Sequence, residues 1–549
     1  MISTVSPQSD PLLDDIFSFE RRFRRALGDG RRIDRVRGFG GSNNPYDDFA
    51  PALGRLFERT RQAFDQEKME LARDAYAGLF ALLGLRDDYG FAITRPEGLV
   101  IRDDQARYLR AIGQTASTQE RPVLMIHTKR LLAQSLWEGC DLSIQTLLEI
   151  APLRPLEREE WLDNLICALD QDCEPGADRW LREAVRLRHG ADGLRDLTRR
   201  KSPWRPRVWL DWLEMLEKRE SPNSMLEAAE EALAHIPEGL ELRATAADHL
   251  ARAATQVGDR RREIAARWEA FRAAPFPARL LDLWVAAGGA KEQRTWMRRV
   301  ATVACDQTGG LIPGPLVDGL CPSSEVLLKE DGDYFTSGPS SEIVACARLL
   351  AGDWREALRM ACTDPLDASA EGHNIRMLVL SVMLAWLTRW PNKELAPNTA
   401  EILDDAMGLF DISGEVPTQL GHSFKMAFSK AIPRWKPAPP SVGATVEDRC
   451  LRLVRSEITA ALKTFELVRN GRVALLAGAA TEVLRERRSE ADAIGFMDDL
   501  TRIHRSRPEF AEALRLRWRR NTRNAAHPGS PNPRKDGGKE SRPASLIKL

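Results

Sequence analysis

Between Trp204 and Arg299 the chain reads as a string of short amphipathic helices punctuated by Pro and Gly, with tryptophans on the apolar faces. Pro206 suits the first turn of a helix running to Lys218, because its missing N–H is unpaired there anyway. Ser224 reads as the cap of the next helix, through Ala234. Pro237 to Gly239 breaks the pattern before a helix at Leu240 to Val257, and Gly258-Asp259 breaks it again before Arg260 to Ala274. Pro275 and Pro277 bracket a turn, and helices at Ala278 to Ala287 and Lys291 to Ala304 follow. Loops this short force neighbouring helices to run antiparallel, so the expected solution is helix hairpins stacked one on the next. The repeat of roughly 33–37 residues per pair lies in the tetratricopeptide range.

The rest of the chain extends this all-α reading. At 549 residues it exceeds what one hydrophobic core supports, so several domains or a repeat array are expected. Upstream, helices are expected at Phe49 to Leu82, Asp103 to Ile112, Val123 to Trp137, Ser143 to Ile150, Glu157 to Leu169 and Ala177 to Arg188. Residues 305–340 are rich in Gly, Pro and Ser and read as a linker or loop insertion. Gly352-Asp353-Trp354 then matches a tetratricopeptide turn: a small residue closes the hairpin and an aromatic fills the wedge. The helix Ile375 to Thr388 is apolar almost all round and should be buried. The stretch from Trp390 to Asp448 reads as irregular, and three long helices close the fold at Val446 to Arg469, Val473 to Arg488 and Glu490 to Arg519. The expected fold is a TPR-like α-solenoid in two portions, residues 46–304 and 341–519. A basic arm (1–45) precedes them and a tail expected to be disordered (520–549) follows.

Charge narrows the function classes. Eighty basic and eighty acidic side chains cancel, so no global field draws the chain to nucleic acid or an anionic membrane. No apolar run is long enough to span a bilayer, and the start lacks the basic-then-apolar order of a secretory signal, so a cytoplasmic protein is expected. The eight cysteines form no CxxC pair. Cys167, Cys346 and Cys362 sit in apolar helical runs, where buried reduced thiols are expected.

Two local basic clusters stand out against this balance. Ile16, Phe19, Phe23 and Leu27 form one helical stripe, backed by Arg21, Arg22, Arg24 and Arg25, with Arg31 and Arg32 beyond. This arm either docks by its phenylalanines with a solvated basic face, binds a partner, or holds nucleic acid. Arg502, Arg505 and Arg507 beside His504 form the second cluster, which reads as a solvated face or a phosphate contact. No Gly-rich phosphate loop, paired Cys/His zinc spacing, HExxH, GxSxG or EF-hand loop is present, so no cofactor, metal or catalytic residue is assigned. Asp87 to Gly90 reads as a turn that ends a helix, and His127 and His249 as packed or solvated side chains.

ARDAYAGLFALLGLRDDYGF (Ala72 to Phe91), DDQARYLRAI (Asp103 to Ile112), RVWLDWLEMLEKRE (Arg207 to Glu220), AARWEAFRAAP (Ala265 to Pro275) and FMDDLTRIHRSRPEFAEAL (Phe496 to Leu514) carry a resemblance. They resemble a bacterial family of TPR-like helical-repeat proteins related to the C-terminal region of SWIM zinc-finger proteins. The CxC…CxH ligand pattern is absent, so the zinc module is not implied. The resemblance implies a non-catalytic scaffold or adaptor in a multi-protein system, such as stress or phage defence, with SWIM, AAA+ ATPase or von Willebrand-type partners. The rival expectations are a nucleic-acid-binding accessory protein using the Arg-rich arm and the basic C-terminal face, and an enzyme with an unrecognised site.

Overall fold

The computed structural model describes residues 10–28, 44, 46–87, 90–117, 120–133, 142–170, 175–200, 205–218, 221–238, 240–307, 338–363, 375–408, 410, 419–435, 440–462 and 467–526. Among the described residues the fold is all-α, with 23 α-helices and no strand. The chain divides at His249 and Leu250 into two compact units, inside a helix. Most of the expected linker at 305–340 lies outside the described residues, as do Arg31, Arg32 and the tail from residue 527.

Unit 1 contains α1 (Pro11–Gly28), α2 (Ala50–Asp65), α3 (Met69–Leu83), α4 (Ile101–Thr115), α5 (Arg121–Ala133), α6 (Ile144–Ile150), α7 (Pro155–Leu169), α8 (Pro175–Thr198), α9 (Arg207–Glu217), α10 (Pro222–His235) and the start of α11 (Leu242–Val257). Each helix from α2 to α5, and each from α7 to α10, packs on the next in sequence. Contacts of α2 with α4, α4 with α6 and α6 with α8 define one layer, and α5 with α7 a second. That is the two-layer, nearest-neighbour stacking of antiparallel hairpins, in which each pair buries its apolar face only against its neighbours.

Helix α1 joins this stack through its aromatic stripe. Ile16, Phe19 and Phe23 are buried, and Ile16 seats against Gly78 of α3, where a Cβ would lie 3.0 Å from the isoleucine methyl. Phe23 meets Tyr46 edge-on at 5.5 Å. Asp87 holds the turn after α3 by accepting from the Tyr46 hydroxyl (2.9 Å) and the Phe91 N–H (2.9 Å).

The short helix α6 shows how charge substitutes for length. Seven residues are too few to be stable alone. Neighbouring helices cap both of its ends: Glu183 of α8 accepts from the N–H groups of Ile144 (2.8 Å) and Gln145 (3.0 Å). Arg110 of α4 donates to the Ala151 carbonyl (2.9 Å), placing a cation at the negative end of the helix dipole. Burial, with Arg121 nearby, lowers the Arg110 pKa to about 10.

One expectation for unit 1 is corrected at an element end. The cap of α10 is Ser221, whose hydroxyl accepts from the Ser224 N–H, because Pro222 already sits in the first turn. Replacing Ser221 by Ala should therefore cost about 1 kcal/mol in denaturant unfolding, and Ser224→Ala much less. The helical backbone of α8 breaks at Gly190 (φ 64°, ψ −145°), a conformation only glycine adopts readily. The helix expected to end at Arg188 does end beside this kink, and a second helical segment runs on to Thr198.

Unit 2 carries the remainder of α11, then α12 (Arg260–Ala273), α13 (Pro277–Ala287), α14 (Ala290–Gln307), α15 (Ser341–Ala351), α16 (Trp354–Thr363), α17 (Ile375–Leu387), α18 (Pro397–Gly408), α19 (Leu420–Ala431), α20 (Pro440–Ala461), α21 (Leu467–Arg487), α22 (Glu490–Ile503) and α23 (Pro508–Ala526). From α12 to α18 successive helices pack as hairpins. Helix α17 is buried along its whole length, as its composition requires. The later helices fold back, so that α21 contacts α17, α18, α20, α22 and α23.

The tetratricopeptide-like turn forms as expected. Gly352 ends α15 in the left-handed conformation (φ 81°), and Trp354 is buried against Trp386 with ring centroids 5.3 Å apart. The stretch expected to be irregular instead contains α18 and α19, because Pro397 starts a helix and Gly408 ends one. The third long closing helix is a hairpin, split where Pro508 opens α23. Asn521 to Ala526 continue that helix where a tail was expected. Cys346 and Cys450 are buried, whereas Cys167 and Cys362 are exposed, so burial holds for only part of the thiol set. Burial pushes the Cys450 thiol up to about 12.

Candidate functional site

Within unit 1, the N-terminal half of α8 lies against the start of α6 and the first turns of α9. Arg179, Arg182 and Arg186 recur along α8 at helical spacing, and together with Glu183 and Ser143 they meet Arg207 and Asp211 of α9 around a cavity of about 330 Å³. Among the described residues no apolar or aromatic side chain lines it.

Arg182 and Asp211 of this lining belong to a buried ion network that runs on to Asp178 and Arg205. Arg182 donates to Asp178 (Nε, 2.9 Å) and to Asp211 (Nη1, 2.5 Å), and Arg205, 1% exposed at its side chain, donates to Asp178 (2.6 Å). Burial opposes the Arg182 cation, but the Asp211 and Asp178 carboxylates outweigh it and hold the guanidinium more firmly protonated than usual. Arg186 stands differently. Its side chain is 45% exposed, and its carboxylate contact, Glu183, lies 3.9 Å away, beyond hydrogen-bond reach. Glu183 is occupied with the α6 N–H groups. Four guanidinium groups thus face two carboxylates that are already engaged.

The second feature is the outer face of α5. Met125, Ile126 and Leu132 point inward and are buried. On the opposite side Val123, Leu124 and Leu131 are 63%, 43% and 55% exposed, with exposed His127 between them. One exposed leucine needs no explanation; an apolar stripe of three on one helix face does.

The structure separates the residues singled out by sequence. Arg21, Arg22, Arg24 and Arg25 are all exposed on α1, facing away from the buried stripe; Arg24 pairs with Glu20 (2.7 Å) and Arg22 lies 5.9 Å from the Phe19 ring centre. Arg502 and Arg505 are exposed at the α22–α23 turn, Arg507 is half-buried, and Arg502 pairs with Asp499 (2.9 Å). The arm belongs to unit 1 and this turn to unit 2. His504 is half-buried against Phe510, and burial lowers its pKa. His249 is buried with Nδ1 3.3 Å from Glu217. Among the described residues no group of His, Cys, Asp and Glu is arranged to hold a metal ion. Nor is any described helix long and apolar enough to cross a membrane.

Sequence reasoning missed the arginine pocket. The spacing of Arg179, Arg182 and Arg186 was visible, but on its own it reads as an ordinary solvated helix face. What makes it a site is Asp211, 29 residues away from its partner.

No family model and no curated protein matches this sequence. Among solved structures, the human IFIT1 dimer with m7Gppp-AAAA is similar at 10% identity, over 89% of this chain and 95% of that chain, with a TM-score of 0.17. A score that low carries no weight, so the fold rests on the helix contacts described above.

Proposed function

We propose that the chain is a non-catalytic interaction scaffold that holds a protein partner on the outer face of α5. The observation that carries this reading is the exposed stripe of Val123, Leu124 and Leu131. It extends about 12 Å along a helix fixed by its neighbours, a length that suits the apolar face of an amphipathic helix from a partner. Burying three such side chains in a contact contributes on the order of several kcal/mol before the costs of association. The resemblance noted above supports a setting among SWIM, AAA+ ATPase or von Willebrand-type proteins.

The test compares proteins co-purified from the native cell by the full chain and by a Leu124→Glu/Leu131→Glu variant. Both positions are exposed, so each change should move stability by no more than about 0.5 kcal/mol. Partners captured by the parent and lost by the variant support the scaffold. Recovery of only the free chain, or an identical set of partners from both, overturns this assignment.

A second reading, nucleic-acid binding by the arm, is favoured by the exposure of Arg21, Arg22, Arg24 and Arg25. Deleting the arm would strip Phe19 and Phe23 from the core, so substitution of the four arginines by Gln is the better probe. A mobility shift that weakens steeply with salt and vanishes in that variant would establish it; salt-independent or unchanged binding would rule it out.

A further inference from the structure

We infer that the cavity between α6, α8 and α9 binds a ligand with two or more linked phosphate groups, recognised through its oxyanions alone. This goes beyond the scaffold reading and does not depend on it. The cavity volume of about 330 Å³ lies at the small end of ligand sites. The described residues that line it are all polar or charged, so none of them would stack on a base or shelter an alkyl group. Recognition must come from charge and hydrogen bonding.

The described lining residues carry four positive and two negative charges, an excess of two positive charges among them. Guanidinium groups present planar forks that match phosphate oxygens two at a time. Arg182 is fixed in place by Asp178 and Asp211, so its presentation costs little ordering when a ligand arrives. Arg186, half exposed and making no hydrogen bond among the described residues, can swing onto the ligand. Arg179 and Arg186 are two helical turns apart, about 10 Å along α8, too far for one phosphate to bridge. A diphosphate or triphosphate reaches both ends and brings enough negative charge to match the excess.

The same chemistry arises from free inorganic polyphosphate or from the phosphate chain of a larger molecule, and calorimetry on the full chain separates these sources. Pyrophosphate and tripolyphosphate should bind at one site, at least tenfold more tightly than inorganic phosphate or sulfate. ATP and GTP should match tripolyphosphate within about threefold, since no lining group contacts a base. A clear preference for either nucleotide over tripolyphosphate would overturn recognition through oxyanions alone. Arg186→Gln should weaken pyrophosphate binding at least tenfold while leaving the thermal midpoint unchanged, and Arg186→Lys should restore part of it. Arg502→Gln, in unit 2, should have no effect. Absence of binding at millimolar pyrophosphate, or full binding by Arg186→Gln, would overturn the site. Neither result bears on partner capture by α5.

Discussion

Replacing Asp178 by Ala should lower the stability of unit 1 by about 3–5 kcal/mol, the cost of leaving buried charge without its partner. Asp178 is 3% exposed and takes hydrogen bonds from Arg182 and Arg205, whose side chains are 10% and 1% exposed. Truncation leaves both cations in place and removes the carboxylate that justifies burying them. Asp211 still faces Arg182, which limits the damage on that side. Asp178→Asn keeps the shape and one acceptor oxygen, so it should lose less than the Ala variant. The comparison with a hydrophobic Asp178→Leu/Arg205→Met double variant is informative: removing both members should recover part of the loss. Denaturant unfolding followed by circular dichroism gives the free energies, and hydrogen exchange locates the weakening in α8 and α9. A loss below about 1 kcal/mol for the Ala variant would show that water replaces the carboxylate and that the network is not sealed.

The features legible in the sequence are those encoded over a few residues. The turn at Pro275 to Pro277 ahead of α13, the break at Gly258-Asp259 ahead of α12, and Gly352 before Trp354 each act through local backbone geometry, and each sits where expected. The aromatic stripe of α1 was equally readable, because burial of Ile16, Phe19 and Phe23 follows from helical spacing alone. Local rules also produced the errors. Ser224 and Ser221 are both plausible caps, and only the extended backbone of Ser221 ahead of Pro222 decides between them. Exposure of Cys167 and Cys362 depends on which helix face meets a neighbour, and nothing in an apolar run reports that. The arginine cavity and the apolar face of α5 share this limit. They are made by elements that meet only after folding, and α5, apolar on both sides, offers no periodicity from which to choose its inner face.

Glu482→Ala should cost about 3–4 kcal/mol in unit 2 by the same long-range logic. Glu482 lies on α21, 5% exposed, and reaches the start of α18 more than eighty residues earlier. Its carboxylate accepts from the N–H groups of Asn398 (2.9 Å) and Thr399 (2.8 Å) and from the Thr399 hydroxyl (2.7 Å). Asn398 and Thr399 are fully buried, so water does not reach their N–H groups once the carboxylate is gone. Each orphaned donor costs about 1–3 kcal/mol, and the favourable placement of a negative charge at a helix N-terminus is lost as well. Glu482→Gln retains one acceptor but turns an NH2 toward a donor, so about half of the loss should remain. Glu183 does the same work for α6 through two hydrogen bonds, so Glu183→Ala should be milder, at about 2–3 kcal/mol. Denaturant unfolding of the three variants orders them as Glu482→Ala, Glu183→Ala, Glu482→Gln. If Glu482→Ala proved no more damaging than an exposed glutamate change, α18 would have to be held by its packing against α17 and α21 alone, and the carboxylate cap would be dispensable.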